Sequence, residues 1–395
     1  MAVELFLDAE MNPECILAGA ALTGDVELVK KTLSRGADPN LKWANLEAAY
    51  AKVWMGTETG SDPGVGTALL EENLSSVYPL SIAAQKGHTE VANMLLQKGA
   101  NPNGSEQNNS LLYLAASGGH IEIVRDLLNA GAEPNIDNSS PALSESLRLG
   151  HTEVAKLLLQ NGANPDNSTI YNAARQGNTE IVELLVDRGA NPNLGLLEAT
   201  KNNHLETVEL LLQNGAEPNF REDNSYRDSP LYSAVSNNNL EIARAFLNRG
   251  ANPDTRRSPR SGNSILEEAA EQGNVEMVEL IVDSGASVNT QSNYGKTESK
   301  PLVAAIEEGH TEVIKILLDK KANPNTEGLY NRSALEIAAR NENAEIVREL
   351  LSHQAEVNEA KGLYGTTLHS PALEAAYKNK NTEIIDLLKN AGAVE

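Results

Sequence analysis

Three copies of one tripeptide, His88-Thr89-Glu90, His151-Thr152-Glu153 and His310-Thr311-Glu312, are the residues best equipped for chemistry. An imidazole beside a carboxylate is the raw material of an acid–base pair or a metal site. His120 and His204 stand in the same surroundings, each two residues before a glutamate. A metal would need several ligands within about 2 Å of one ion. Nothing near any of these histidines supplies a second imidazole or a thiolate. No G-x-S-x-G, Walker A, H-E-x-x-H or strand-following G-x-G-x-x-G is present. The single cysteine, Cys15, excludes an intramolecular disulfide and a Cys-based zinc site. Within CILAGAALTG it reads as a small core or cap residue. His353 and His369 have no partner that the sequence can place. The expectation is no catalytic residue, no metal and no cofactor.

The elements that carry the tripeptide recur. A phrase of the type Gly-Ala-x-Pro-Asn/Asp starts at Gly36, Gly99, Gly131, Gly162, Gly189, Gly215 and Gly250. Variants start at Gly285, Lys321, Gln354 and Gly392, giving eleven anchors. Apart from a first gap of 63, their spacings run from 26 to 38. Before each anchor lies an amphipathic run such as TEVANMLLQK, with Val91, Met94 and Leu95 at helical spacing. A glutamate in its first turn opposes the positive helix end. Glycine after the last turn suits a left-handed cap, and the proline that follows blocks continuation. A shorter helix precedes each run, as in YPLSIAAQKG and KPLVAAIEEG. Prolines 79, 141, 230, 301 and 371 sit in the first turn of those shorter helices, where a missing N–H costs nothing. Pro13, Pro63 and Pro259 fit neither place.

The register x-P-L-x-x-A-A-x-x-G-H-x-E-V-x-x-L-L-L-x-x-G-A-x-x-N, clearest in 78–103, 111–135 and 301–325, resembles the ankyrin-repeat family. That resemblance implies an all-α solenoid of stacked helix pairs joined by β-hairpin-like loops, with a concave face of inner helices and loop tips. It also implies that the histidine before the outer helix is structural, bonding backbone between adjacent repeats. The same slot holds Asp25, Asn178, Asn239, Asn274 and Asn381 elsewhere, small polar residues suited to a turn or cap. The expected organisation is an N-terminal capping repeat over 1–40, an insertion over 41–77 and ten further repeats over 78–395 in one continuous solenoid. The repeats ending at Gly189 and Gly215 span only 27 and 26 residues, too few for a full hairpin.

Function is expected where the repeats differ. The insertion 41–77 holds both tryptophans, and Trp43, Tyr50 and Trp54 share one helical face, with Met55 adjacent. It reads either as a helical hairpin folded back on the second repeat or as an aromatic platform for a partner. Tyr226, Tyr294, Tyr330 and Tyr364 each precede an inner helix at a loop tip, where they either pack on a neighbouring loop or face a partner. Arg256, Arg257 and Arg260 form a local basic cluster with Arg221 and Arg227, suited to an acidic or phosphorylated peptide unless Glu222, Asp223 and Asp228 neutralise it. The family resemblance further implies a target for a 2-oxoglutarate-dependent asparaginyl hydroxylase. Asn358, in LLSHQAEVN, fits that enzyme family's preference for an upstream leucine and a Glu/Asp-Val before the target.

Composition narrows the partner. Net charge is −23 over 395 residues, so a phosphate backbone or an anionic membrane is repelled and a basic protein is attracted. There is no basic leader before an apolar run and no apolar stretch of membrane-spanning length, so a cytoplasmic place is expected, and the chain is separately expected to be a monomer. The resemblance implies a non-enzymatic protein-binding scaffold of the adaptor, inhibitor, chaperone or bacterial-effector type, the last acting in a host cytosol. The alternative is a ligand-binding or catalytic site formed by 41–77 against the solenoid.

Overall fold

The computed structural model describes residues 13–40, 78–106, 109–135, 140–221, 229–257, 262–289, 300–361 and 367–394. These hold 22 α-helices in eleven inner–outer pairs, numbered here as repeats 1 to 11. Repeats 1–5 lie in one compact unit, Met1–Asn191, and repeats 6–11 in a second, Pro192–Glu395. The insertion 41–77 lies outside the described residues.

Each outer helix folds because one stripe is apolar. In repeat 2 (inner helix Pro79–Lys86, outer helix Thr89–Gln97), Val91, Ala92 and Leu95 are buried. The inner helix buries Leu80, Ile82, Ala83 and Ala84. Alanine pairs recur at that position, with Ala115 and Ala116 fully buried in repeat 3 (inner helix Leu111–Ser117). So small a side chain lets inner helices of neighbouring repeats approach closely. Pro13, unexplained by the repeat register, begins the first inner helix, Pro13–Thr23, so it belongs with the other helix-starting prolines. Outer helices end on left-handed residues: Gly99 has φ 87°, and Lys321 and Gln354 take φ 69° and 65° where glycine is missing.

The slot before the outer helix is filled in two ways: histidine bonds backbone of the adjacent repeat, as the family resemblance implied, and asparagine or aspartate caps. Asp25, Asn178, Asn239, Asn274, Asn343 and Asn381 cap their own helix, each side chain accepting an N–H three residues on. The histidines do not cap. Instead Nε2–H of His88, His120, His151 and His310 donates to the carbonyls of Leu22, Gln85, Ser117 and Glu271 in the preceding repeat, at 3.0, 3.3, 3.2 and 2.9 Å. A carbonyl only accepts, so the proton must reside on Nε2. Where asparagine caps, the tie to the preceding repeat moves two residues upstream. Asn237, Gln272, Asn341 and Asn379 donate to the carbonyls of Lys201, Ser236, Ile306 and Arg340 at 3.0–3.2 Å. Gln176 does the same to Leu147.

This choice reaches back one repeat. Gly24, Gly87, Gly119 and Gly273 end inner helices at positive φ, and a Cβ on any of them would lie 2.5–2.7 Å from the ring of the following repeat's histidine. Before an asparagine repeat the same position is open at Gly150 and Gly309. It holds Asn203, Asn238 or Glu342 elsewhere, still at φ 57–60°. Asn238 and Asn203 accept the amides of Asn274 and Asn239. Glycine is thus demanded by the ring as well as by the backbone turn.

A second tie runs along the loops. Asn135 donates to Gly162 O at 2.8 Å and accepts from Asn164 N at 2.8 Å, so one amide closes both ends of the next anchor. Asn40, Asn103, Asn219, Asn289 and Asn358 repeat the arrangement. Asp166 leaves it. Its carboxylate accepts from Thr169 N and the hydroxyls of Ser168 and Ser144, starting the inner helix Asn167–Gln176 directly after its anchor. The inner helix of repeat 6 likewise starts at Asn193, so both short repeats lack a hairpin as expected. Hairpins form after repeats 2 and 10, pairing Ser105–Glu106 with Asn109–Ser110 and Glu359–Lys361 with Thr367–His369. After repeats 7 and 9 single bridges Arg256–Ser264 and Glu327–Ser333 close the turn.

Candidate partner-binding surface

Inner helices present the residues between their buried positions to solvent. In the first unit, Arg148 grips Glu145 with Nε and Nη2 at 2.8 and 2.6 Å. That hydrogen-bonded guanidinium holds the Glu145 carboxyl below the usual carboxylate range against the opposing effect of burial, and Tyr113 of the preceding repeat lowers it further. In the second unit Tyr232 Oη donates to Glu268 of the following repeat at 2.5 Å, and Gln272 Nε2 donates to the same carboxylate at 3.0 Å. One placement, a tyrosine set beside the next repeat's glutamate, therefore recurs in both units, bonded to it at Tyr232. Sequence reasoning missed it, although the signal was there: Tyr113 and Tyr232 each stand three residues after a capping serine, Ser110 and Ser229.

Charge on these inner helices is uneven. In the second unit, Ile265–Glu271 and Pro301–Glu308 carry Glu267, Glu268, Glu271, Glu307 and Glu308 with no lysine or arginine between them. Glu271, Glu307 and Glu308 are exposed.

Of the residues singled out from sequence, Tyr330 is at a loop tip and 84% exposed, with Arg332 at 5.1 Å from its ring centroid. Arg256 forms the bridge after repeat 7 with Ser264, and the adjacent Arg257 N–H donates to Asn263 O at 3.0 Å. Arg221 joins them through backbone, its Nη2 donating to Arg256 O at 2.8 Å. That guanidinium braces the turn. Asn358 uses its whole amide on Gly392 O and Val394 N, both at 2.9 Å. Trp43, Tyr50, Trp54, Met55, Tyr226, Tyr294, Tyr364 and Arg260 lie outside the described residues, as do Arg227, Glu222, Asp223 and Asp228. The two histidines without an assigned partner gain one: His353 lies 3.4 Å from Asp319 and 3.6 Å from Glu349, and His369 pairs with Glu359 in the ribbon.

A cavity of about 200 Å³ lies among repeats 1 to 3, lined by Leu80, Leu111, Ala100 and Pro39, with Asn40 and Tyr78 at its wall. Those last two flank the insertion in sequence. Among the described residues no group of three or more His, Cys, Asp or Glu could hold a metal ion. No helix there is long and apolar enough to cross a membrane.

The sequence profile of the family described as ankyrin repeats (3 copies) matches residues 17–138, 136–195, 196–292 and 290–361. The chain therefore belongs to the ankyrin-repeat family, whose repeats mediate protein–protein interaction. Among solved structures, the crystal structure of the human ASB11 ankyrin repeat domain is 24% identical, covering 69% of this chain and 98% of that one at a TM-score of 0.36. No curated protein matches.

Proposed function

We propose that the chain is a non-enzymatic scaffold that binds a basic protein segment on the face built by its inner helices and loop tips. The observation that carries this is the run of five carboxylates on the inner helices of repeats 8 and 9, unbroken by a cation on either helix. A net charge of −23 adds a long-range field that draws a basic partner in and repels competitors of like charge. The loop-tip tyrosines, the aromatics of 41–77 and the arginines after repeat 7 supply further contacts. Asn358 is a target for hydroxylation, and because its amide ties repeat 11 to repeat 10, the enzyme must catch that rung open. The working place is a cytosol, the chain's own or that of a host.

The test is capture of cytosolic proteins on the full chain, then stopped-flow association of the captured protein at rising salt. Association should slow steeply with salt and slow again in the triple variant Glu271→Gln/Glu307→Gln/Glu308→Gln. A salt-independent rate, or a triple variant that binds at the original rate, refutes the charge-led reading.

A second reading rests on the cavity beside Asn40 and Tyr78, which gives the insertion a place to build a ligand site. Deleting 41–77 would then abolish ligand binding while leaving the repeats folded. Partner binding that survives the deletion favours the scaffold.

A further inference from the structure

Repeat 10 (inner helix Ala334–Arg340) holds an aromatic ring in water at evident cost. Tyr330 is 84% exposed, and it and Asn331 both take left-handed backbone, φ 62° and 53°. Such backbone is unfavourable for tyrosine, less so for asparagine, and persists in a tyrosine only where surroundings enforce it. Here it is enforced from below. The Glu327–Ser333 bridge and the Gly328 N–H to Arg332 O bond at 2.7 Å clamp the turn. Gly328 is pressed so close to the helices that a Cβ would stand 2.7 Å from Ile337 Cδ1 and 3.0 Å from Val303 Cγ1.

The ring is held as well as the backbone. Arg332 lies 5.1 Å from its centroid. Arg332 Nε is in turn 3.7 Å from Glu336 Oε1, and Arg340 Nε is 2.7 Å from the same oxygen. Glu336 is only 8% exposed. A carboxylate that deep is costly to desolvate unless paired, and between two guanidiniums it becomes a fixed post. Glu336 thus places Arg332, and Arg332 places Tyr330. Binding usually pays to order its anchor side chains, and that cost has already been met at this tip. Tyrosine and arginine are the side chains that most often serve as anchors.

We infer that Tyr330 is a pre-organised docking anchor for a partner segment in which one bulky apolar side chain is flanked by lysine or arginine, and that Glu336 is a positioning residue acting through Arg332. The ring face away from Arg332 suits an apolar side chain. Glu307, Glu308 and Glu327, on the adjoining helix and loop, suit cationic flanks. The inference rests on the scaffold reading above.

The probes are fluorescently labelled synthetic peptides of three kinds: Leu or Phe flanked by Lys and Arg, the same with Glu flanks, and the basic flanks with Gly in place of the apolar residue. Anisotropy with the full chain should select the first kind. Tyr330→Ala should weaken it about 30-fold, the size of an anchor loss, and Tyr330→Phe should retain it. Glu336→Gln should weaken binding several-fold and add nothing on a Tyr330→Ala background. A purely structural glutamate would lower the melting temperature without changing peptide affinity. Equal binding of the basic apolar peptides by wild type and Tyr330→Ala overturns the anchor while leaving the scaffold reading standing. Preference for Glu flanks, or binding of no peptide, overturns the partner chemistry. A Glu336→Gln effect that is absent, or that adds to Tyr330→Ala, overturns the positioning role.

Discussion

Gly119 and Gly150 end the inner helices of consecutive repeats with nearly the same backbone, φ 70° and 82°, yet they should answer differently to alanine. At both, a Cβ in left-handed backbone costs roughly 1–2 kcal/mol. At Gly150 nothing lies within 4 Å of that Cβ, so the cost ends there. At Gly119 the Cβ would stand 2.7 Å from Nδ1 and 2.8 Å from Cε1 of His151. Relieving such overlap costs about 1–3 kcal/mol. Displacing the ring also endangers the 3.2 Å bond from His151 to Ser117 O, a further loss of about 1 kcal/mol. Gly150→Ala should therefore lose roughly 1–2 kcal/mol and Gly119→Ala roughly 3–6 kcal/mol. Urea unfolding measures the difference, with hydrogen exchange of repeats 3 and 4 as a local readout, since stacked repeats need not unfold as one. Adding His151→Asn removes the ring and should recover at least ~1 kcal/mol of the Gly119→Ala loss as coupling. Equal costs at the two glycines, or a double variant whose losses simply add, would refute the reasoning.

Lys321→Gly and Gln354→Gly should each stabilise the chain by about 1 kcal/mol in urea unfolding, because both sit at positive φ where sibling repeats use glycine. Glu145 is held below its ordinary carboxylate value, so its contribution is complete above that value and is lost as pH falls through the lower folded value. Glu145→Gln should accordingly cost stability at neutral pH and cost nothing in strong acid, as acid-titrated melting curves would show. Asn135→Asp keeps the acceptor to Asn164 N but loses the donor to Gly162 O, so faster exchange of the Gly162 region is expected, with Asn135→Ala faster still. If Asn358 is a hydroxylase target, mass spectrometry after exposure to the enzyme will show one added oxygen there, and an unmodified peptide would sink that assignment.

Repeat architecture was legible in the sequence because it is written in local terms. Apolar residues at helical spacing, a glutamate in the first turn, proline at helix starts and glycine at their ends each act within a few residues. Recurrence then multiplied a weak signal eleven times. The short repeats ending at Gly189 and Gly215 could be read the same way, from counting alone. What the sequence could not show was how a slot's chemistry depends on the repeat beside it. The resemblance implied that His151 bonds backbone of an adjacent repeat and that Asn178 suits a cap, but not that the His151 ring lies over Gly119 and leaves room there for no Cβ. Asp166 differs from Asn135 by one atom type, and only the missing hairpin made it a helix cap. Tyr330 stood in a row with Tyr226, Tyr294 and Tyr364 on register alone. The chain from Glu336 through Arg332 that holds it is local, but the turn that exposes it is closed where Gly328 meets Val303 of the preceding repeat's inner helix. Local periodicity sets each brick, because backbone preferences and burial act at short range. Which side chains meet across the joints is set by stacking, because those contacts span some thirty residues of chain and come into being only when two bricks are pressed together.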